Sequence, residues 1–370
     1  MKNITIMQVM DYAAPYEGNF ICSLKDLEIK LNNNNSNMVY LFPDKAKEIS
    51  WVKEIVKEIN NENRRKVYFL KTSVLKNLEL IRKIIKTEKV DIVHSHFCLP
   101  KTQLAVKLAV NLSRNVKLVQ HYHNHYQLPN NYLKNKLFKY IFCGDLNIGC
   151  SQSVAQSIIY DKRKVTCVPN AIYFPRLDEY EKIDISKYGI QENSKVILMF
   201  GFDFERKGVD IAIEAIKIIA EQYNIILLIS ISVNKESVRQ KIIDRFGEVP
   251  KWVKLIDSRN DVASYYRISD IFLSAAREEG FCYALIEALY CNCICISSNI
   301  PGPPLHVPGI EVFRNEDILE LRDIVKKILD KSNDELNESR DLSRKYILKQ
   351  YSIDDWSSKV INNYDKLIIN

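Results

Sequence analysis

Ile271-Phe272-Leu273-Ser274 is a short apolar run. Two alanines later comes Arg277-Glu278-Glu279-Gly280-Phe281-Cys282-Tyr283-Ala284-Leu285-Ile286-Glu287-Ala288-Leu289. The first run reads as a buried strand, and the pattern near 284–290 reads as a helix. Glu279 then sits on the strand-to-helix loop. Glu287, eight residues on, lies about one turn into the helix. Backbone N–H groups at a helix start have no partner within the helix, so they suit a phosphate or a sugar hydroxyl. Carboxylates accept hydrogen bonds from vicinal diols. Paired glutamates alone are common; the strand-loop-helix setting sharpens the signal.

The same rhythm extends in both directions. Val196-Ile197-Leu198-Met199-Phe200 is a continuous apolar strand, as a parallel sheet requires. A helix over 210–220 follows, then strands at 225–231, 253–256, 271–274 and 293–297, with helices near 262–268 and 284–290. The first half gives strands at 3–8, 38–42, 67–70, 90–94 and 116–120, with helices at 19–31, 47–59, 75–87, 101–112 and 131–142. Such alternation implies βαβ units. Asn32–Asn37 reads as a polar loop, and the stretch from Pro169 to about Ser194 holds the interdomain linker. The expected division is 1–170, with a C-terminal helix at about 352–370, and 171–351.

The chain has 370 residues, 46% of them hydrophobic and 27% charged, enough for two ordinary soluble domains. No apolar run reaches the roughly 18–20 residues needed to cross a bilayer, and Met1–Met7 lacks the features of a secretory signal. Nine cysteines without framework spacing point to a reducing compartment, hence a cytoplasmic setting. Cys291, Cys293 and Cys295 alternate as small core residues of one strand face. Residues 1–170 carry 26 Lys and Arg against 14 Asp and Glu, whereas 171–370 carry 27 against 32. The basic half suggests an anionic partner: a phospholipid surface, a lipid-pyrophosphate acceptor or nucleic acid. Tyr132–Phe142 mixes basic and aromatic residues and fits either a membrane-surface helix or an ordinary surface helix. No nucleic-acid-binding module is recognised, so nucleic acid is set aside.

The segment around Glu279 and Glu287 resembles the E-x7-E signature of retaining family 4 glycosyltransferases (glycosyl transferases group 1). The resemblance implies an α/β chain of two Rossmann-like domains facing across a cleft (GT-B), with the C-terminal helix crossing back to the first. It also implies that Glu279 contacts the donor sugar and Glu287 the nucleotide ribose. Gly280, Phe281, Cys282 and Tyr283 line the donor; Cys282 stands where the family often has Gly, and Asn292 and Ile294 replace its Gly and Pro. Phe200–Asp210 resembles the family's G-R…K-G phosphate loop, with Gly201 and Lys207 matching. Phe202 replaces the family arginine, and Arg206 is placed to compensate. A cation beside a glycine at a helix start can neutralise a leaving diphosphate. Pro15-Tyr16-Glu17-Gly18-Asn19-Phe20 takes the place of the Gly-rich loop, with Gly18 its one glycine; the plain alternative is a turn capped by Asn19.

Five of six histidines fall in Asp91–His96 and His121–His125. Such density raises metal binding, but His-x-His on a strand end is also common at a cleft edge; no metal is expected. The family places a histidine near the donor sugar. His123 fits best, with His121 and His125 as register alternatives. Val168-Pro169-Asn170-Ala171-Ile172 resembles the family's N-G-I segment with Ala171 for Gly, and Tyr351–Trp356 resembles the start of its last helix.

The implied reaction moves a hexose-type sugar from a nucleotide diphosphate, a UDP-sugar first, to a hydroxyl of a saccharide or lipid-linked saccharide, with retention and without a cofactor. The implied setting is cell-surface polysaccharide or capsule synthesis, with peripheral contact at the inner membrane face through the basic first domain. Two alternatives stand: a sugar-nucleotide epimerase of the same fold, and a non-catalytic nucleotide-sugar-binding partner subunit.

Overall fold

Each strand series closes into its own parallel sheet in the computed structural model, which describes residues 3–15, 17–62, 66–127, 129–158 and 164–369. Tyr16 and Asn370, which belong to segments expected above, lie outside the described residues, as do Met1 and Lys2. The chain divides into two units, Met1–Ala171 with Ile353–Asn370, and Ile172–Ser352.

Unit 1 holds strands β1 (Thr5–Met10), β2 (Asn37–Phe42), β3 (Lys66–Phe69), β4 (Ile92–His96), β5 (Lys117–Tyr122), β6 (Leu146–Gly149) and β7 (Val165–Cys167). Its helices are α1 (Asn19–Asn33), α2 (Ser50–Glu62), α3 (Val74–Glu88), α4 (Pro100–Asn111), α5 (Tyr132–Phe142) and α6 (Gln152–Ser157). Unit 2 holds β8 (Lys195–Phe200), β9 (Ile225–Ile231), β10 (Val253–Asp257), β11 (Ile271–Ser274), β12 (Ile294–Asn299) and β13 (Ile310–Arg314). Its helices are α7 (Val209–Lys217), α8 (Lys235–Phe246), α9 (Ala263–Arg267), α10 (Tyr283–Tyr290), α11 (Ile318–Leu329) and α12 (Asn333–Gln350). The last helix, α13 (Ile353–Ile369), belongs to unit 1.

The sheet orders are β3-β2-β1-β4-β5-β6-β7 and β10-β9-β8-β11-β12-β13. Among the described residues all strand pairings are parallel, with β1 between β2 and β4 (Ile6 opposite Met38 and Ile92) and β8 between β9 and β11 (Ile197 opposite Leu227 and Ile271). In both, strand order reverses beside the first strand. Open sheets of this kind leave a crevice there, outside the carboxyl ends of the strands. The topology therefore nominates the loops after β1 and β4 in unit 1, and after β8 and β11 in unit 2.

Both faces of each sheet are covered, which explains the uninterrupted apolar runs: Ile225–Ile231 is buried at every residue. In unit 1, Trp356, Val360, Ile361 and Tyr364 of α13 pack into one core with Phe20, Leu24 and Leu27 of α1. Each such side chain contributes about 1.5–3 kcal/mol on burial, so α13 is part of that core. Helix starts follow side-chain capping: Ser73 accepts from Lys76 N, Asp317 from Glu320 N, and Ser332 forms a capping box with Glu335. Among the described residues no helix is long and apolar enough to cross a membrane.

Several expectations need correction. Strands β6, β7 and β13 and helices α6, α8, α11 and α12 were not expected. Residues 44–48 form a separate 3-10 turn, so the helix expected at 47–59 starts at Ser50. The Asn32–Asn37 tract is no free loop, because α1 runs to Asn33, β2 starts at Asn37, and Ser36 is buried with its hydroxyl accepting from Ile4 N. Cys291 caps α10 and Cys293 precedes β12, so only Cys295 lies in that strand, although all three are buried.

Gly208 shows how closely the two loops of unit 2 approach. It caps α7 with φ of 66°, and a Cβ there would collide with the Ala275 carbonyl oxygen at the end of β11. We expect Gly208→Ala to lower stability by about 2 kcal/mol or more, from left-handed strain plus backbone overlap. Gly247→Ala, with φ of 83° but open space around it, should cost about 1–2 kcal/mol. Urea midpoints of the two variants test the ranking.

Candidate donor-binding loops and a buried histidine column

In unit 2 the loops after β8 and β11 are bound to each other. Arg277 N donates to Arg206 O at 2.9 Å. The Arg277 guanidinium forks onto Asp210, with both N–O distances 2.9 Å, and also meets Glu316. Burial pushes the Asp210 carboxyl up, but the Arg277 hydrogen bond and charge outweigh it and hold the group below the usual carboxylate range. The fork is the planar, bidentate pairing that arginine provides.

This joint brings Lys207 to Glu279, Nζ to Oε2 at 2.5 Å, with Arg206 Nη1 at 3.9 Å from the same oxygen. Arg206 also bonds the Asp203 carboxylate and the Glu278 carbonyl. Phe202 lies beneath both cations, 5.2 Å from the Arg206 guanidinium carbon and 5.1 Å from Lys207 Nζ. Gly201 follows β8 directly, where a Cβ would strike the Ile229 side chain, so its smallness serves packing. Gly280, Phe281 and Cys282 are buried, and Phe281 meets Tyr283 edge-on at 5.3 Å. Cys282 caps α10 with φ of 62°, the left-handed region that explains why glycine suits this position. Burial pushes its thiol up to about 11.

Glu287 is buried on α10. Arg176, from the 3-10 turn Phe174–Leu177, donates Nη2 to Glu287 Oε1, and Tyr266 donates its hydroxyl to Oε2 at 2.9 Å. Burial and the facing carboxylate push the Tyr266 phenol well up. Neither partner was expected: Arg176 sits in a stretch without periodicity, and Tyr266 reads as helix core.

Unit 1 holds the other two candidates. Gly18 caps α1, its carbonyl accepting from Ile21 N and Cys22 N. Phe20, one turn on, meets His123 edge-on at 5.2 Å, while Phe97 stacks on His123 at 3.9 Å. The two histidine runs meet. His94 and His96 of β4 and His121 of β5 are buried, not on an open strand edge as expected, with His96 opposite His121 in register. His123 lies just past β5. His125 lies further out, on Ser153 at 3.1 Å. A hydrogen-bonded chain runs inward from His123: Nε2 to His96 Nδ1 at 3.1 Å, His96 Nε2 to Gln8 Oε1 at 2.9 Å, Gln8 Nε2 to Tyr364 Oη at 3.3 Å, and Tyr364 Oη to His94 Nδ1 at 2.6 Å. With His96 donating to the Gln8 carbonyl, its Nδ1 accepts from His123. His94 Nε2, both nitrogens of His121 and His123 Nδ1 have no partner among the described residues.

Ring nitrogens of His94, His96 and His121 lie within 4.8 Å of one another, close enough to be considered for a metal. Two facts weigh against a divalent ion. Both His96 nitrogens are engaged, and among the described residues no carboxylate acts on these rings. A dication there would lack a compensating negative charge. A cavity of about 350 Å³ reaches His121 and His123 and is lined by Phe97, Tyr126, Phe138 and Phe142.

With this geometry in view, comparison with known proteins gives a consistent answer. The profile described as Glycosyltransferase Family 4 matches residues 44–173, and that described as Glycosyl transferases group 1 matches 181–353. The chain belongs to these glycosyltransferases. Lipopolysaccharide glucosyltransferase WaaG of Escherichia coli is 26% identical over 173 residues, 44% of this chain and 45% of that protein. UDP-Gal:alpha-D-GlcNAc-diphosphoundecaprenol alpha-1,3-galactosyltransferase of Escherichia coli is 25% identical over 249 residues, 62% of each. The chain thus spans 45–62% of the curated relatives' length. A glycosyltransferase from Rickettsia africae superposes with a TM-score of 0.80 at 20% identity, covering 100% of both chains. Anabaena Alr3699/HepE in complex with UDP gives 0.76 at 16%, covering 98% of this chain and 100% of that one. Those two likenesses fix the GT-B fold.

The histidine column of this family member has a pH signature. Burial, and for His94, His96 and His123 neighbouring imidazoles, pull all four rings down, His121 to about 3. A lowered folded value means the unfolded chain takes up protons first. Stability is therefore full above about pH 6.5 and is lost as pH falls below it, by up to about 1.4 kcal/mol per pH unit for each ring. Thermal unfolding between pH 8 and 5 should show this slope, and His121→Phe should flatten it by about one proton.

Proposed function

We propose that the chain transfers a hexose-type sugar from a UDP-sugar to a hydroxyl of a lipid-linked saccharide, with anomeric retention. One observation carries the reading: Lys207, Arg206 and Glu279 converge beside the start of α10, at the point where unit 2 reverses strand order. The bond from the anomeric carbon to the diphosphate oxygen breaks as charge grows on that oxygen. Lys207 and Arg206 neutralise this charge, aided by the N–H groups at the start of α10. Here two cations do the work that a divalent ion does elsewhere, so no cofactor is assigned. Lys207 exchanges Glu279 for a phosphate oxygen, and the released carboxylate receives the donor sugar. Glu287 takes the ribose hydroxyls alongside or in place of Arg176. The acceptor oxygen forms its bond to the anomeric carbon on the departing face and passes its proton to the leaving diphosphate oxygen.

The lipid-linked acceptor and a role in surface polysaccharide or capsule synthesis are supported by the undecaprenol-linked substrate in one relative's name. The basic balance of residues 1–170 adds to this. Helix α5 exposes Tyr132, Leu133, Leu137 and Tyr140 on a segment that also carries Lys134, Lys136 and Lys139. That composition suits peripheral contact with an anionic inner membrane face.

A thermal-shift and sugar-release screen against UDP-, GDP-, ADP- and dTDP-sugars tests the donor. UDP-sugars should raise the melting temperature selectively, and Lys207→Ala should lower kcat about 100- to 1,000-fold. Full turnover in Glu279→Gln, or no response to any nucleotide, would sink the proposal. Flotation with anionic vesicles tests the membrane contact, and Leu133→Ser with Lys136→Glu should reduce it.

A further inference from the structure

Phe202 stands where the family pattern has arginine, and nothing above gives it a task. We infer that Phe202 is a positioning residue: its ring face gathers Arg206 and Lys207 into one cation pair aimed at the second phosphate of a nucleoside diphosphate. This rests on the donor-site reading proposed above.

Two cations on adjacent residues repel each other. In the structure each meets a carboxylate, Arg206 with Asp203 and Lys207 with Glu279. The Lys207 contact has to be exchanged when a diphosphate arrives. The ring contact does not. Both charges lie about 5 Å from the Phe202 centroid, 5.2 Å for Arg206 and 5.1 Å for Lys207, inside the range where a ring quadrupole attracts a cation. A cation over a ring face keeps its N–H donors for other acceptors, whereas an ion pair consumes them. The aromatic side chain therefore holds both cations without competing for the hydrogen bonds that a phosphate needs. Its own position is set from below, where Phe202 packs against the apolar core formed by α7, β8 and β9.

Restoring the family arginine would place a third cation in the same loop. The loop instead uses Arg206, four residues further on, with its backbone N–H fixed by Asp203 Oδ1 at 3.2 Å. Phe202 and Arg206 then act together: the charge sits further along the loop, and the ring holds it beside Lys207.

Calorimetric titration of the full chain with UDP, UMP and inorganic pyrophosphate tests this. Phe202→Leu should weaken UDP and pyrophosphate about 5- to 30-fold, the sum of two such contacts, while UMP changes less than about twofold. Phe202→Tyr, which keeps the ring, should restore the UDP preference. Phe202→Met keeps apolar bulk without a π face and should behave as leucine does. A purely structural role would lower the melting temperature and leave the UDP-to-UMP ratio unchanged; an unchanged ratio in leucine and methionine variants overturns the proposal. Ring-dependent pyrophosphate binding without nucleotide binding would uphold Phe202 and defeat the nucleotide reading. A wild-type chain that binds neither would overturn both.

Discussion

The Arg277–Asp210 fork is the contact on which the candidate site depends. Its two 2.9 Å bonds tie the end of β11 to the start of α7, and the Arg277 backbone N–H adds a third link to Arg206 O. Without it, the loop bearing Arg206 and Lys207 and the loop bearing Glu279 would be separate surface turns. With it, three charged side chains from residues some 70 positions apart converge on one point. Gly208 permits the join, since only a residue without Cβ leaves room for the Ala275 carbonyl. Most of the energy lies in the burial around it; the fork contributes geometry.

Much of this was legible in the sequence, and the reason differs from place to place. Val196–Phe200 and Ile225–Ile231 had to be buried strands, because no other element tolerates such uniform apolarity over so few residues. The Glu279 and Glu287 segment was readable because a strand, a loop and a helix follow one another without a gap. Helix α8 was hidden: its sequence, Lys235–Phe246, is largely polar and buries only Val238 and Ile242. Strands β6 and β7 have four and three residues, too few for periodicity to register.

The partners of the candidate residues were less accessible. Arg176 reaches Glu287 across 111 positions, and Tyr364 reaches His94 across 270. Such pairs follow from tertiary packing, which local pattern does not encode. The histidine runs illustrate the same limit. Their density was plain, but register between β4 and β5 decides that the rings pile into a buried column. Once buried without a countercharge, they have to remain neutral.

Helix α13 adds a temporal dimension. Its side chains complete the core of unit 1, yet it is synthesised only after all of unit 2. On the ribosome, the first 171 residues emerge with α1 lacking its packing partner and His94 lacking Tyr364. Unit 2 is continuous in sequence and can finish first, which reverses the usual order in which the amino-terminal part of a chain matures before the rest. The half that is made first is thus the half that is completed last.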